Sequence, residues 1–86
     1  MQTQEIVTPI RQFILENYLF TDDESALVDD DSFLESGLLD STGMMELVMF
    51  VEESFGVTVG DDEMVPENLD SVTKAASFVA SKLKAA

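Results

Sequence analysis

Three Asp-Ser pairs stand in this sequence, at Asp31-Ser32, Asp40-Ser41 and Asp70-Ser71. A serine hydroxyl is the obvious group to carry chemistry here, because the chain has no Cys and no His. Without His, the commonest general base and the commonest metal ligand are both missing. The lysines stand only at 74, 82 and 84, so none is near in sequence to a serine nucleophile at position 41. An enzyme is therefore the weakest reading. Of the three serines, only Ser41 has a glycine turn before it, at Gly37, and a long amphipathic helix with an acidic outer face after it. Ser71 opens the last helix and is accounted for by capping. Ser32 lies in an acidic loop where no helical pattern begins. Ser41 or Asp40 could also be no more than a cap, since both residue types are common there.

The spacing of apolar residues predicts an all-α fold. Ile6, Ile10, Phe13 and Ile14 place a first helix over Gln4 to Tyr18. Thr8-Pro9 requires either that its regular part begins at Thr8 or that it kinks there. No period holds from Phe20 to Asp40. A connection of that length is normally functional or partly helical. Leu27, Val28, Phe33, Leu34, Leu38 and Leu39 are expected to pin it to the core. A second helix is predicted over Ser41 to Phe55, stopped by Gly56. Leu47, Val48, Val51 and Phe55 form its inner face, and Glu46, Met49, Glu52 and Glu53 its outer one. Val57-Thr58-Val59 reads as extended, and Val65 to Leu69 as one helical turn with Pro66 at its start. The last helix is expected over Ser71 to Leu83, with Val72, Ala76, Val79 and Leu83 inward. Lys82 and Lys84 suit the dipole at its C-terminal end.

Eighty-six residues suffice for one domain, read here as 1-86. Eighteen acidic against four basic residues give a net charge of −14. Such a surface repels nucleic acid and anionic lipid and attracts basic partners. The start, Met1 to Glu5, has no basic region and leads into no long apolar segment, so no signal peptide is expected. The longest apolar run, Leu47 to Val51, is far too short for a membrane span. A cytoplasmic, free-standing monomer is the expectation. The run Asp29-Asp30-Asp31 does not fit a calcium loop. Such a loop needs Gly at its sixth position and Glu at its twelfth, where this chain has Leu34 and Asp40.

The stretch Gly37-Leu38-Leu39-Asp40-Ser41-Thr42-Gly43, with Glu46-Leu47, Glu52-Glu53 and Phe55 following in register, resembles the phosphopantetheine-binding acyl carrier family. Asn68-Leu69-Asp70-Ser71-Val72 is similar to that family's junction into its last helix, and the resemblance covers nearly the whole chain. It implies a four-helix bundle of three main helices, one short helix and a long first loop. It implies 4′-phosphopantetheine attached to Ser41, with Asp40 helping to hold Mg²⁺ during attachment. It implies a non-catalytic carrier whose partner-facing surface includes Thr42, Met45, Glu46, Met49, Glu52 and Glu53. The partners implied are a phosphopantetheinyl transferase, an adenylating acyl or aminoacyl ligase and downstream acyl-transfer or modifying enzymes. Gly43, two residues after Ser41, makes the motif more similar to carriers that take amino acids, such as the D-alanyl carriers. A small cargo can stay outside the bundle, whereas a long acyl chain would need a cavity lined by residues such as Val48, Val51 and Phe55. The alternative is an acidic helical interaction module with no prosthetic group, in which Ser41 only caps a helix.

Overall fold

The computed structural model describes residues 3–85. The Met1-Gln2 end of the stretch read above for a signal peptide, and the last residue of the 1-86 domain, lie outside the described residues. Four α-helices form the fold: α1 (Thr3–Ile14), α2 (Ser41–Phe55), α3 (Pro66–Leu69) and α4 (Val72–Ala85). Two single 3-10 turns, Glu24–Ala26 and Asp61–Glu63, lie in the connections, and no strand occurs among the described residues. The all-α four-helix bundle is thus the observed architecture.

The core is built from one face of each long helix. Ile6, Ile10 and Ile14 of α1, Leu47 and Val51 of α2, and Val72, Ala75, Ala76 and Val79 of α4 are buried together. A smaller cluster of Val48, Val59 and Leu69 lies beneath α3. Burying a Leu, Ile or Val is worth roughly 1.5–3 kcal/mol each, so these positions outweigh local propensity. Pro9 shows this. The helix neither begins at Thr8 nor stops there, but runs through Pro9. The proline ring removes one N–H, while Ile6 and Ile10 on either side stay fully buried and hold the segment in place.

The end of α1 departs from the expected regular helix to Tyr18. Leu15–Leu19 winds as a wider π-type turn, ended by Phe20 in the left-handed region at φ 53°. The wider turn keeps Leu15 buried and still carries Tyr18 toward α2. Left-handed backbone costs a residue other than glycine about 1–2 kcal/mol. Phe20 regains none of it by burial, since it is 81% exposed.

The long connection from Phe20 to Asp40 is held by residues far away in sequence. The Arg11 guanidinium reaches across from α1 to the carboxylates of Glu24 and Asp29 and the carbonyls of Glu24 and Leu27. Burial alone would lower the Arg11 pKa, but its hydrogen bonds to Asp29 and Glu24 and their negative charges outweigh it and the value is raised. At the other end, buried Asp70 accepts hydrogen bonds from the Ser32 hydroxyl and the Leu34 N–H, while its own carbonyl accepts the Phe33 N–H. Thr73 adds two more ties, its N–H to the Asp29 carbonyl and its hydroxyl to Asp30. Leu27, Phe33 and Leu39 anchor the loop as expected, whereas Val28 and Leu34 are exposed. Their expected role in the core is corrected: each follows a buried anchor, Leu27 or Phe33, and a connection one chain thick does not bury both neighbours. This lacing fixes Leu39 and Asp40, and with them the start of α2.

Lys82 does more than face the α4 dipole. Its ammonium donates to Glu63 at 2.8 Å, and Glu63 also accepts the Gly60 N–H. Those two bonds hold the Glu63 carboxyl below its ordinary value. The α2–α3 connection is thereby tied to the last helix.

Candidate functional site

Capping at the start of α2 falls to Asp40, not to Ser41. Asp40 has extended backbone, and its Oδ1 accepts the Gly43 N–H at 2.8 Å. Its carbonyl accepts the Met44 N–H at 2.9 Å. Ser41 is therefore the first helical residue, exposed, with its hydroxyl unused by the cap. The N–H groups of Ser41 and Thr42 have no intrahelical acceptor, as at any helix start. Glycine at 43 permits the close fit. A Cβ there would come within 3.1 Å of Leu39 Cδ2, and Leu39 is buried directly under the cap.

The other two Asp-Ser pairs have structural duties. The Ser71 hydroxyl accepts the Lys74 N–H at 3.0 Å and caps α4, which runs from Val72. The Ser32 hydroxyl donates to Asp70 and accepts the Glu35 N–H. Of the three serines, Ser41 alone is exposed at a helix start.

Most of the partner-facing residues inferred from sequence are where they were expected. Thr42, Met45, Glu46, Met49 and Glu53 are exposed along α2, Met45 and Met49 at 48% and 54%. Glu52 differs from them in exposure. It is half-buried, and its Oε2 accepts the Val59 N–H at 2.9 Å, satisfying the extended segment that follows Gly56. Glu46 also has a partner that the sequence did not reveal. The Tyr18 hydroxyl donates to its Oε1 at 2.8 Å across 28 positions. Phe13 sets that contact, meeting Tyr18 edge-on at 5.8 Å and stacking on Phe50 of α2 at 4.5 Å.

Burial first, then the hydrogen bond to Glu46 and the negative charges of Glu46 and Asp40, push Tyr18 up to about 12 from its ordinary value of 10.0. The folded value lies above the unfolded one, so stability from this contact is complete below about pH 10 and is lost as the pH climbs toward 12. The chain has one tyrosine. Its phenolate absorbance is expected to titrate near 12 in the wild type and to move back toward 10 in Glu46→Gln; a wild-type midpoint near 10 contradicts the contact.

An apolar groove of about 300 Å³ opens beside Ser41, between α2 and α3. Met44, Met45 and Val48 form one wall, Met64 and Leu69 the other, and Leu34 of the long loop closes an end. Val48 lines this groove, whereas Val51 is fully buried in the main core and Phe55 packs against it, where a long acyl chain would have to open a cavity of its own. Leu34 and Met64 were missed as site residues. Each is an apolar residue in a polar connection, and only folding brings them to α2.

The chain is 36% identical over 67 residues to the D-alanyl carrier protein of Streptococcus suis, an alignment covering 78% of this chain and 84% of that protein. It belongs to the acyl carrier protein family. The carrier is also 44% identical over 52 residues to the acyl carrier protein of an Arthrobacter species, covering 60% of this chain and 62% of that one. To the D-alanyl carrier protein of Streptococcus pyogenes it is 38% identical over 56 residues, covering 65% and 70%. No family model matches the sequence. No helix among the described residues is long and apolar enough to cross a membrane.

Proposed function

We propose that this carrier is one domain, 1-86, that holds an acyl or aminoacyl group on 4′-phosphopantetheine attached to Ser41 and presents it to successive partner enzymes, without catalysing a reaction itself. When bound, the arm supplies a terminal thiol on which cargo is held as a thioester. The observation that carries the reading is the separation of roles at the start of α2: Asp40 caps, and Ser41 is left exposed with a free hydroxyl.

The residues at this helix start fit such a group. A phosphodiester on Ser41 would be an anion at a helix N-terminus, where free N–H groups and the dipole favour negative charge. Asp40 uses Oδ1 for its cap, and Oδ2 takes no hydrogen bond from the described residues. That second oxygen could share Mg²⁺ with phosphate oxygens, as carboxylates commonly do, and relieve the repulsion between the two anions. A cytoplasmic location belongs to the same proposal, as do a phosphopantetheinyl transferase, an adenylating ligase and downstream acyl-transfer enzymes as partners. The similarity to D-alanyl carriers favours a small amino or carboxylic acid as cargo, which leaves the core packed.

Intact mass after incubation with a phosphopantetheinyl transferase and coenzyme A tests this function. One added arm is expected. A mass that never changes would favour the acidic interaction module, which has no prosthetic group.

Partners would be recognised by fast, weak, charge-guided contacts on α2, with Met45 and Met49 as a small apolar centre. Glu52 would contribute less than Glu46 and Glu53, because it is half-buried and one of its oxygens is held by the Val59 N–H. Each exposed pair is worth only about 0.2–1 kcal/mol, so no single carboxylate decides binding. Glu46→Lys with Glu53→Lys is expected to slow association with the transferase several-fold. Salt should have the same effect, since the Debye length falls to about 3 Å at 1 M. Stopped-flow rates indifferent to both changes would show that this face is only solvated surface.

A further inference from the structure

A second groove, of about 670 Å³, lies at the end of α1 and shares no lining residue with the groove at Ser41. Buried Leu15 forms its floor, and Gln12, Glu16, Phe20, Asp22 and Glu24 surround it. Arg11 pairs with Glu24 on one side of the groove and with Asp29, and leaves Glu16 and Asp22 without an ion pair among the described residues. Glu16 and Asp22 therefore give the groove an uncompensated negative charge. Phe20 projects at its edge, the most exposed large apolar side chain among the described residues and the only residue other than glycine at positive φ among them. Its packing within the chain offers nothing to offset that backbone cost, and glycine would suit the position better. An aromatic side chain that the fold does not use, beside an acidic groove with an apolar floor, is the form of an interaction anchor.

We propose that this groove is a second docking surface that takes a basic, amphipathic segment of a partner protein. Apolar side chains of the segment would seat on Leu15 and against Phe20, and its lysines or arginines would pair with Glu16 and Asp22. A second copy of the chain does not meet this need, because two chains of charge −14 repel. An anionic lipid surface is repelled for the same reason. The surface is independent of Ser41 and of whatever that residue carries, so its test does not depend on the proposed function.

The probe is a synthetic helical peptide with leucines on one face and lysines and arginines on the other, titrated into the full chain labelled with ¹⁵N. Saturable amide shifts are expected at Leu15, Glu16, Phe20, Thr21 and Asp22. Phe20→Gly is expected to raise the melting temperature by roughly 4 °C, because glycine adopts the left-handed backbone freely. It should nevertheless weaken the peptide roughly tenfold. Opposite signs for stability and binding separate loss of an anchor from loss of the fold. Glu16→Lys with Asp22→Lys should also weaken the peptide roughly tenfold, and a peptide with serine in place of leucine should bind without dependence on Phe20. Equal affinity for wild type and Phe20→Gly overturns the proposal. So do shifts confined to α2, or the same residues shifting with protein concentration in the absence of peptide, which would mark contact between copies.

Discussion

Ser41→Ala is expected to abolish labelling by a phosphopantetheinyl transferase while leaving the helical circular dichroism and the melting temperature nearly unchanged. The effect on labelling should be complete, because one oxygen atom is proposed to carry the arm and nothing near it can substitute. Thr42 is also exposed, but it is one residue further into the helix. The small effect on stability follows from the cap. Asp40 makes the capping bond to Gly43, so removing the Ser41 hydroxyl costs the helix no bond, and alanine is well tolerated in a first turn. A change within about 0.5 kcal/mol is expected, as for an ordinary surface substitution. Asp40→Ala should show the converse, losing about 1 kcal/mol with the cap. Ser71→Ala should leave labelling intact and lower stability, because that hydroxyl caps α4. Labelling that persists in Ser41→Ala would remove the arm from this residue.

Asp70→Ala should be among the most destabilising single changes in the chain, at about 3 kcal/mol. Asp70 is only 8% exposed and accepts bonds from both the Ser32 hydroxyl and the Leu34 N–H. Truncation leaves both donors without an acceptor at a site that water reaches poorly, and bonds to a carboxylate are each worth about 1.5–3 kcal/mol. A shift of roughly 12 °C or more in the melting temperature is expected. Asp70→Asn should recover part of the loss, since its carbonyl can still accept the Leu34 N–H. Thermal melts of the two variants decide this. A change in Asp70→Ala within about 0.5 kcal/mol would show that the first loop is not held at this junction.

The second prediction also shows where sequence reading stopped. The features set by local chemistry were legible: the Asp40-Ser41 boundary, the glycine stop at Gly56, Pro66 opening a single turn, and the buried faces of α2 and α4. Each depends on backbone preferences or on periodicity within a few residues. The connection from Phe20 to Asp40 was not legible beyond its length. Its hydrogen bonds go to Arg11, Asp70 and Thr73, up to 43 positions away. Asp70 in its sequence context pointed to the α4 junction and gave no sign of a bond to Ser32. The bond of Glu52 to Val59 was hidden for a related reason. Helical spacing says which way a residue leaves the axis but not which chain returns beside it, and here Val59 does. At Pro9 the sequence left a start at Thr8 or a kink open, and the start is ruled out because packing of Ile6 and Ile10 carries the helix through the proline.

The candidate site divides in the same way. Ser41, Asp40 and the exposed Met45 and Met49 follow from one helix and its cap. The groove beside them needs Leu34, Met64 and Leu69 from other segments, and the fixed position of Glu46 needs Tyr18 from α1. The motif singled out Ser41 as the candidate but could not supply its surroundings.

The most direct test of the account is fragmentation mass spectrometry of the carrier purified from cells that contain a phosphopantetheinyl transferase. The peptide bearing Ser41 is expected to carry 4′-phosphopantetheine on that residue, part of it extended by a small amino or carboxylic acid in thioester linkage. An arm found on Ser32 or Ser71, or a chain recovered only at its unmodified mass, would contradict it.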